Sequence, residues 1–340
     1  MQESIRIGQI GLGYWGKNLF RNFLQTPDCL VTKVCDVEEN ARSRARSMQP
    51  DVAVTGDAAE LCASDDVDAV VIATETPSHF PLALQALRAD KHVFVEKPMA
   101  TSVEEATTLV EEAQQRNLRL MVGHLLLYHP AFVHVEKLIE SGQLGEVYYL
   151  YGVRVNLGIV RSRENAFESL APHDISVALA FLKSRPVAVS AQGQSYLQSG
   201  VEDVAFAVIH FEDGKMAHLH TSWLDPHKVR KMTIVGSRQM AVIDDVEGVE
   251  KVRLYDKGVD FNPSEATFVD YASAMTIRSG DIRIPRIDMQ EPLAVECRHF
   301  VESIQRGTPP RSDAKNGLAV VRILEAARSS MRNGGARVGL

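Results

Sequence analysis

The chain has 340 residues, 45% hydrophobic and 24% charged, with a formal net charge of -7. That length suits two domains of ordinary size, the composition supports packed cores, and the acidic balance excludes a general nucleic-acid binder, which needs a basic surface against phosphates. No apolar run approaches the ~20 residues of a membrane span, and Cys29, Cys35, Cys62 and Cys297 form no Cys-x-x-Cys pair or disulfide framework.

Ile5–Ile10 reads as a buried strand. It follows the first residue so closely that no signal peptide is expected, and with four unpaired thiols this points to a cytoplasmic protein without a membrane partner. The strand runs into Gly11-Leu12-Gly13-Tyr14-Trp15-Gly16, which opens a helix over Lys17–Gln25. In that strand–turn–helix setting, G-x-G-x-x-G reads as a dinucleotide site. Gly11 permits the tight turn, Gly13 lets the backbone approach a pyrophosphate, and Gly16 lets the helix pack on the strand. The helix start offers free N–H groups and positive dipole to the anion. Tyr14 and Trp15 share the turn and are expected beside the cofactor. The next strand, Leu30–Asp36, ends on a carboxylate 20 residues after Gly16. An acid there accepts bonds from ribose hydroxyls and repels a 2′-phosphate, so NAD is the expected cofactor. Arg42 and Arg44, on the helix Glu39–Met48, read as solvated helix charges.

The alternation continues with strands at Val52–Thr55, Val67–Thr74, His92–Glu96 and Leu118–Val122. Helices are expected at Ala58–Ala63, His79–Ala89 and Val103–Asn117, the last opened by a Thr101–Glu104 capping box. The strands are nearly all apolar, as strands covered on both faces are. The fold class expected for residues 1–123 is therefore α/β, a doubly wound parallel sheet of Rossmann type. Ligands bind over the carboxyl ends of such strands. Thr74, Thr76 and Pro77 stand at one such end, with His79 opening the next helix. Glu96-Lys97-Pro98 stands at another. Pro98 stops its strand and restricts Lys97. A lysine beside a nicotinamide can bond a substrate hydroxyl and help move its proton, provided burial or nearby charge lowers its pKa. Glu96 is placed to pair with it.

Past Gly123 the rhythm changes, and residues 124–340 are expected to form an α+β domain on a largely antiparallel open sheet. Gly123 to Pro130 is the crossing, where His124 and Tyr128 fall near a substrate cleft. A helix over Ala131–Ser141 leads to the strand Glu146–Asn156. Strands follow at Val187–Leu197, Val204–Phe211, Met216–Trp223, Lys231–Val235, Ala241–Asp244 and Val252–Tyr255, with an Asp213-Gly214 hairpin turn. A helix is read over Pro172–Leu182, with Pro172 at its first position. That reading puts His173 and Asp174 in the first turn, where the dipole favours a neutral imidazole. Arg154, Arg161 and Arg163 follow the first strand of this half and suit a carboxylate or phosphate. Asn156 and Arg161 are the expected substrate contacts there. His210, His218 and His220 lie in strands without a completing ligand cluster, so no metal is expected. Pro263–Ile287 carries no readable pattern. Helices near Pro292–Gln305 and Gly317–Met331 end the chain, and the last is expected to pack back on the first domain.

Gly11–Gly16, Asp36, Thr74–His79 and Glu96-Lys97-Pro98, in this order and spacing, resemble the Gfo/Idh/MocA oxidoreductase family over nearly the whole chain. The resemblance implies a bound NAD(P) and hydride transfer at a hydroxyl-bearing carbon of a sugar, cyclitol or nucleotide sugar. It also implies that Lys97 contacts the reacting hydroxyl and that His173 is the acid/base residue; for a carboxylate beside it either Asp174, also an expected substrate contact, or Glu168 substitutes, or Lys97 and His173 work without one. Ser169 stands where many members carry an aspartate four residues before that histidine. The Arg154–Arg163 loop resembles the subgroup that oxidises C3 of UDP-N-acetylglucosaminuronate-type sugars. Two other readings remain: a dehydrogenase of a free sugar or inositol-like cyclitol, and a regulator that binds NAD and sugar without catalysis. The half-covered sheet of the second domain leads us to expect a homodimer or homotetramer.

Overall fold

The computed structural model describes residues 4–158, 160–161, 164–261 and 275–340. Arg163 and residues 263–274 of the stretch without readable pattern lie outside the described residues. The chain divides into two compact units, Met1–His129 with Gln290–Glu325, and Pro130–Met289 with Ala326–Leu340.

The first unit alternates strand and helix: β1 (Ile5–Ile10), α1 (Gly16–Gln25), β2 (Cys29–Cys35), α2 (Glu39–Met48), β3 (Ala53–Thr55), α3 (Ala58–Cys62), β4 (Ala69–Ile72), α4 (His79–Arg88), β5 (His92–Val95), α5 (Val103–Gln115) and β6 (Leu120–Val122). The sheet order is β3-β2-β1-β4-β5-β6 and every pairing is parallel. The order reverses between β1 and β4, the place where such sheets open a crevice at their carboxyl edge. All four residues of β4 are buried, as covering on both faces requires. The strands end one or two residues earlier than the sequence suggests, so Asp36, Thr74 and Glu96 stand just beyond them. The start of α5 is also displaced. Ser102, not Thr101, is the N-cap and accepts from the Glu105 N–H, while Glu105 bonds Thr101. The capping pattern is therefore one residue later than expected.

The second unit contains α6 (Pro130–Glu140), β7 (Val147–Val155), α7 (Ala166–Leu182), β8 (Pro186–Gln194), β9 (Val204–Phe211), β10 (Met216–Ser222), β11 (Val229–Gly236), β12 (Met240–Asp244), β13 (Val252–Tyr255), β14 (Gly258–Phe261), β15 (Met275–Arg278) and β16 (Ile282–Arg283). The chain closes with α8 (Pro292–Arg306), α9 (Ala314–Arg332) and β17 (Val338–Gly339), and the division between units falls within α9. A nine-stranded sheet runs β16-β13-β12-β11-β7-β10-β9-β8-β17. It is antiparallel except between β7 and β10, which pair in parallel because α7, β8 and β9 intervene in the chain. Along β7, Leu150 and Arg154 are buried, whereas Tyr149 and Tyr151 on the alternate face are exposed.

α7 departs most from expectation. It starts at Ala166, six residues before Pro172, which lies inside the helix. Asn165 and Glu168 form a capping box, each side chain accepting the other's backbone N–H. Two orphan donors are thus satisfied at once, and that outweighs the one intrahelical bond Pro172 cannot make. His173 and Asp174 therefore sit two turns into the helix. The macrodipole acts only in the first turn, so it gives no reason for a neutral His173.

Candidate active site

The glycine turn is built by contacts that tolerate no side chain. Gly11 has φ +94°, and a Cβ there would lie 2.6 Å from the Ala73 carbonyl oxygen. A Cβ on Gly16 would lie 2.2 Å from the Gly11 carbonyl oxygen. Both glycines serve the turn itself. Gly13 differs: a Cβ there would meet no atom of the described residues within 4 Å. The space beside it is open, as close approach of a pyrophosphate requires. α1 has no side-chain cap and no acidic residue in its first turn, so no side chain of that turn competes with an anion for its N–H groups. Gln9, fully buried, braces the turn by donating to the carbonyls of Gly11 (2.9 Å) and Gly16 (2.7 Å). Sequence reading passed over it, because a polar residue inside an apolar strand is legible only once the turn is folded over it.

Asp36 is partly exposed beside this turn. Its carboxylate accepts the N–H of Leu12 at 2.7 Å and of Glu38 at 2.9 Å. Each oxygen takes one of these bonds and keeps a second lone pair for a ribose hydroxyl. Arg42 does not address a 2′-phosphate position. Its guanidinium bonds the carbonyls of Asp36 and Val37 and pairs with Glu39. These residues fit a dinucleotide carrying a free 2′-hydroxyl.

Thr74 lies against Gly11, and its hydroxyl accepts from Ser78 at 2.7 Å. Thr76 and Pro77 form a short 3₁₀ turn with Ser78. His79 is buried, with Nδ1 2.8 Å from the Pro98 carbonyl oxygen and Nε2 3.1 Å from that of Thr74. Both ring nitrogens lie against backbone carbonyl oxygens, and a neutral ring donates to one of them. His79 ties the end of β4 to the Glu-Lys-Pro corner. Burial, first among the causes, lowers its pKa despite those carbonyls.

At the end of β5, Glu96 accepts from the Trp15 indole N–H at 2.6 Å and from the Lys97 backbone N–H at 3.2 Å. Gly123 leaves room for it, since a Cβ there would come within 2.9 Å of its carboxylate. Burial pushes Glu96 up to about 7, against the lowering effect of the Lys97 charge and its hydrogen bonds. Trp15 thus joins the glycine turn to the lysine corner. Tyr14 is 81% exposed, with Lys17 Nζ 5.3 Å from its ring centre. Lys97 is half-buried and followed by a cis peptide to Pro98. His124 is buried, neither ring nitrogen has a hydrogen-bond partner among the described residues, and burial followed by the Lys97 charge lowers its pKa to about 3. Tyr128 is a core residue of this unit: its hydroxyl lies 2.9 Å from Ser312 Oγ and accepts the Ser312 N–H.

In the second unit, His173 is half-buried and lies one turn after the buried Ser169, on the same face of α7. Asp174 is not available to it. Its carboxylate is buried in a two-pronged pair with Arg154, at 2.7 and 2.8 Å. Burial lowers the Arg154 pKa, but the Asp174 charge and hydrogen bonds outweigh it, and the net shift is upward. Arg154 and Asp174 are thus partners of one another. Glu168 pairs with Arg328 at 2.5 Å. The backbone N–H of Asn156, just past β7, donates to the Ser222 carbonyl at 3.1 Å. Arg161 is half-exposed and pairs with Glu164 at 2.8 Å. On the open sheet face, Phe206 stacks on His220 with ring centres 4.3 Å apart, and His218 stands beside them.

Comparison with known proteins agrees with this geometry. Residues 5–124 match the model of the oxidoreductase family with an NAD-binding Rossmann fold, and residues 132–242 match the GFO/IDH/MocA C-terminal domain. The chain belongs to the Gfo/Idh/MocA family. It is an NAD-dependent dehydrogenase acting on hydroxyl groups, and its cofactor is NAD. The chain is 27% identical to the UDP-N-acetylglucosamine 3-dehydrogenase of Acidithiobacillus ferrooxidans, over 95% of each chain. It is 23% identical to the scyllo-inositol 2-dehydrogenase (NAD(+)) of Bacillus subtilis, over 98% of this chain and 96% of that one. The fold is shared with the solved structure of the Acidithiobacillus enzyme, at a TM-score of 0.82 and 24% identity, with 97% of this chain and 98% of that one covered.

Proposed function

We propose that the protein oxidises a secondary hydroxyl of a sugar or cyclitol, with C3 of a nucleotide-linked sugar as the particular position. The observation that carries this is the Glu96-Lys97-Pro98 corner, joined through the Trp15–Glu96 bond to a glycine turn fit for NAD. The full-length similarity to a nucleotide-sugar 3-dehydrogenase supports the finer assignment. When bound, NAD supplies the hydride acceptor. Lys97 Nζ holds the reacting hydroxyl and shares its proton. His173 of α7 is the acid/base residue proposed for the second unit, with Ser169 in the position where a carboxylate would otherwise raise the ring's basicity. A sugar acid has less support than the arginine count suggests, because Arg154 is neutralised by Asp174. Arg161 remains the cation proposed for an anionic group. The exposed Tyr149, Tyr151 and Phe206 on the open sheet face support self-association into a dimer or tetramer.

The test is the near-ultraviolet absorbance of the protein with NAD and a panel of UDP-sugars, UDP-sugar acids, free sugars and inositols. Reduced-nicotinamide absorbance with UDP-sugars alone is the expected result. Turnover of inositols with no competition by UDP would replace the nucleotide-sugar reading with the cyclitol one.

A further inference from the structure

α8 carries an acid that no motif announces. Its buried face consists of Leu293, Glu296, Cys297, Phe300, Val301 and Ser303, and Glu296 is only 1% exposed. One turn on, Phe300 meets Phe94 of β5 edge-on, with ring centres 5.7 Å apart. Phe94 and Glu96 are two residues apart on one side of the β5 line, and Glu296 and Phe300 are four apart on one helix face. The contact between the phenylalanines packs α8 against β5, and Glu296 on that face feels the charge of Glu96.

Among the described residues, neither carboxylate oxygen of Glu296 has a hydrogen-bond partner. An ion left in that state costs several kcal/mol, whereas the neutral acid costs far less. Burial first, and then the charge of Glu96, raise Glu296 well above the usual carboxyl range. The groups facing the pair are few. Lys97 and the Trp15 indole face Glu96. The Tyr128 hydroxyl and the Cys297 thiol feel Glu296, and Tyr128 also feels Arg311. His124 feels Lys97. The cation beside the pair, Lys97, acts on Glu96.

We propose that Glu296 is a positioning residue for the lysine corner: a neutral carboxylic acid behind Glu96 that acts on Lys97 through it. The pair then carries one negative charge at most, held on Glu96. The polar Glu296 carboxyl keeps Glu96 ionisable near neutrality, and the ionised Glu96 holds Lys97 in place. A second ionised glutamate would fix Lys97 as an ammonium. This inference rests on the assignment of Lys97 to the reacting hydroxyl.

The test compares Glu296→Gln and Glu296→Leu. Glutamine copies the neutral acid, and leucine removes the polar atoms. For Glu296→Leu, the acid limb of kcat should move upward by about one unit, since apolar surroundings raise a carboxyl. Its thermal stability should rise, because the orphaned acid is gone. Glu296→Gln should restore the wild-type limb. An unshifted limb in the leucine variant, or a limb in the glutamine variant displaced as far as in leucine, would overturn the proposal. Infrared difference spectra decide independently of turnover, and do so even if the leucine variant fails to fold. At pH 8 the wild type should show the C=O stretch of a protonated carboxyl that Glu296→Gln lacks. Absence of that band would overturn the proposal while leaving the role of Lys97 untouched, which Lys97→Ala tests on its own.

Discussion

The glycine turn of the first unit and the α7 region of the second were both read from short motifs, and they fared differently. In the turn, each residue answers a backbone demand: Gly11 has a positive φ, Gly16 meets a carbonyl, and Gly13 faces open space. Backbone demands are local, so the order of residues encodes them. In α7 the same kind of reading placed the helix start at Pro172, but the Asn165–Glu168 box starts it earlier and puts Asp174 into a buried pair with Arg154. Partners that arrive from another strand are not written in the neighbouring residues.

The sharpest break between the two regions should come from Arg154→Ala. It leaves Asp174 as an unpaired buried charge, and a loss of about 3–5 kcal/mol is expected in denaturant unfolding. An effect below about 1 kcal/mol would return Arg154 to the substrate side. Asp36→Ala removes two charge-assisted bonds from backbone N–H groups and should cost about 1.5–3 kcal/mol. It should also weaken the preference for NAD over NADP, and unchanged cofactor kinetics would contradict its assignment. Within the turn, Gly13→Ala should keep stability within about 0.5 kcal/mol, because its Cβ meets nothing. NAD binding measured by titration calorimetry should nonetheless fall sharply. Gly16→Ala should instead lower the melting temperature.

The smallest effect is the pH dependence of His124. Its folded-state pKa, about 3, lies below the ordinary value of 6.5. Its stabilising contribution is therefore complete above about 6.5 and is lost as pH falls toward 3. Glu96 works in the opposite direction, since its raised pKa costs stability as pH rises toward 7. Comparing His124→Phe with wild type isolates the histidine. The variant's unfolding free energy should gain on wild type as pH drops from 7 to 4.5, and a constant difference would show that His124 is not buried as a neutral ring.

Much of the first unit was legible because strands covered on both faces are nearly uniformly apolar and each is followed by an amphipathic helix. Glu96-Lys97-Pro98 was legible as a corner, and Asp36 as the end of a strand. The bond of Tyr128 to Ser312 was not legible because the two lie 184 residues apart in the chain. His79 was ambiguous because a ring at a helix start faces ligand or backbone according to the fold of Pro98. The parallel pairing of β7 with β10 was hidden because hairpin signals speak only for neighbours in sequence. Glu296 did leave a trace, an acid in the apolar phase of the amphipathic helix Pro292–Arg306. Such a residue has meaning only once its neighbours across the seam are known.

The most direct test of the account is Lys97→Ala, assayed for turnover and for NAD binding on the same folded protein. The account predicts turnover reduced by about 10²-fold or more, with the melting temperature and the affinity for NAD largely retained. Full turnover in that variant would contradict the assignment of Lys97 to the reacting hydroxyl, and with it the account of the site.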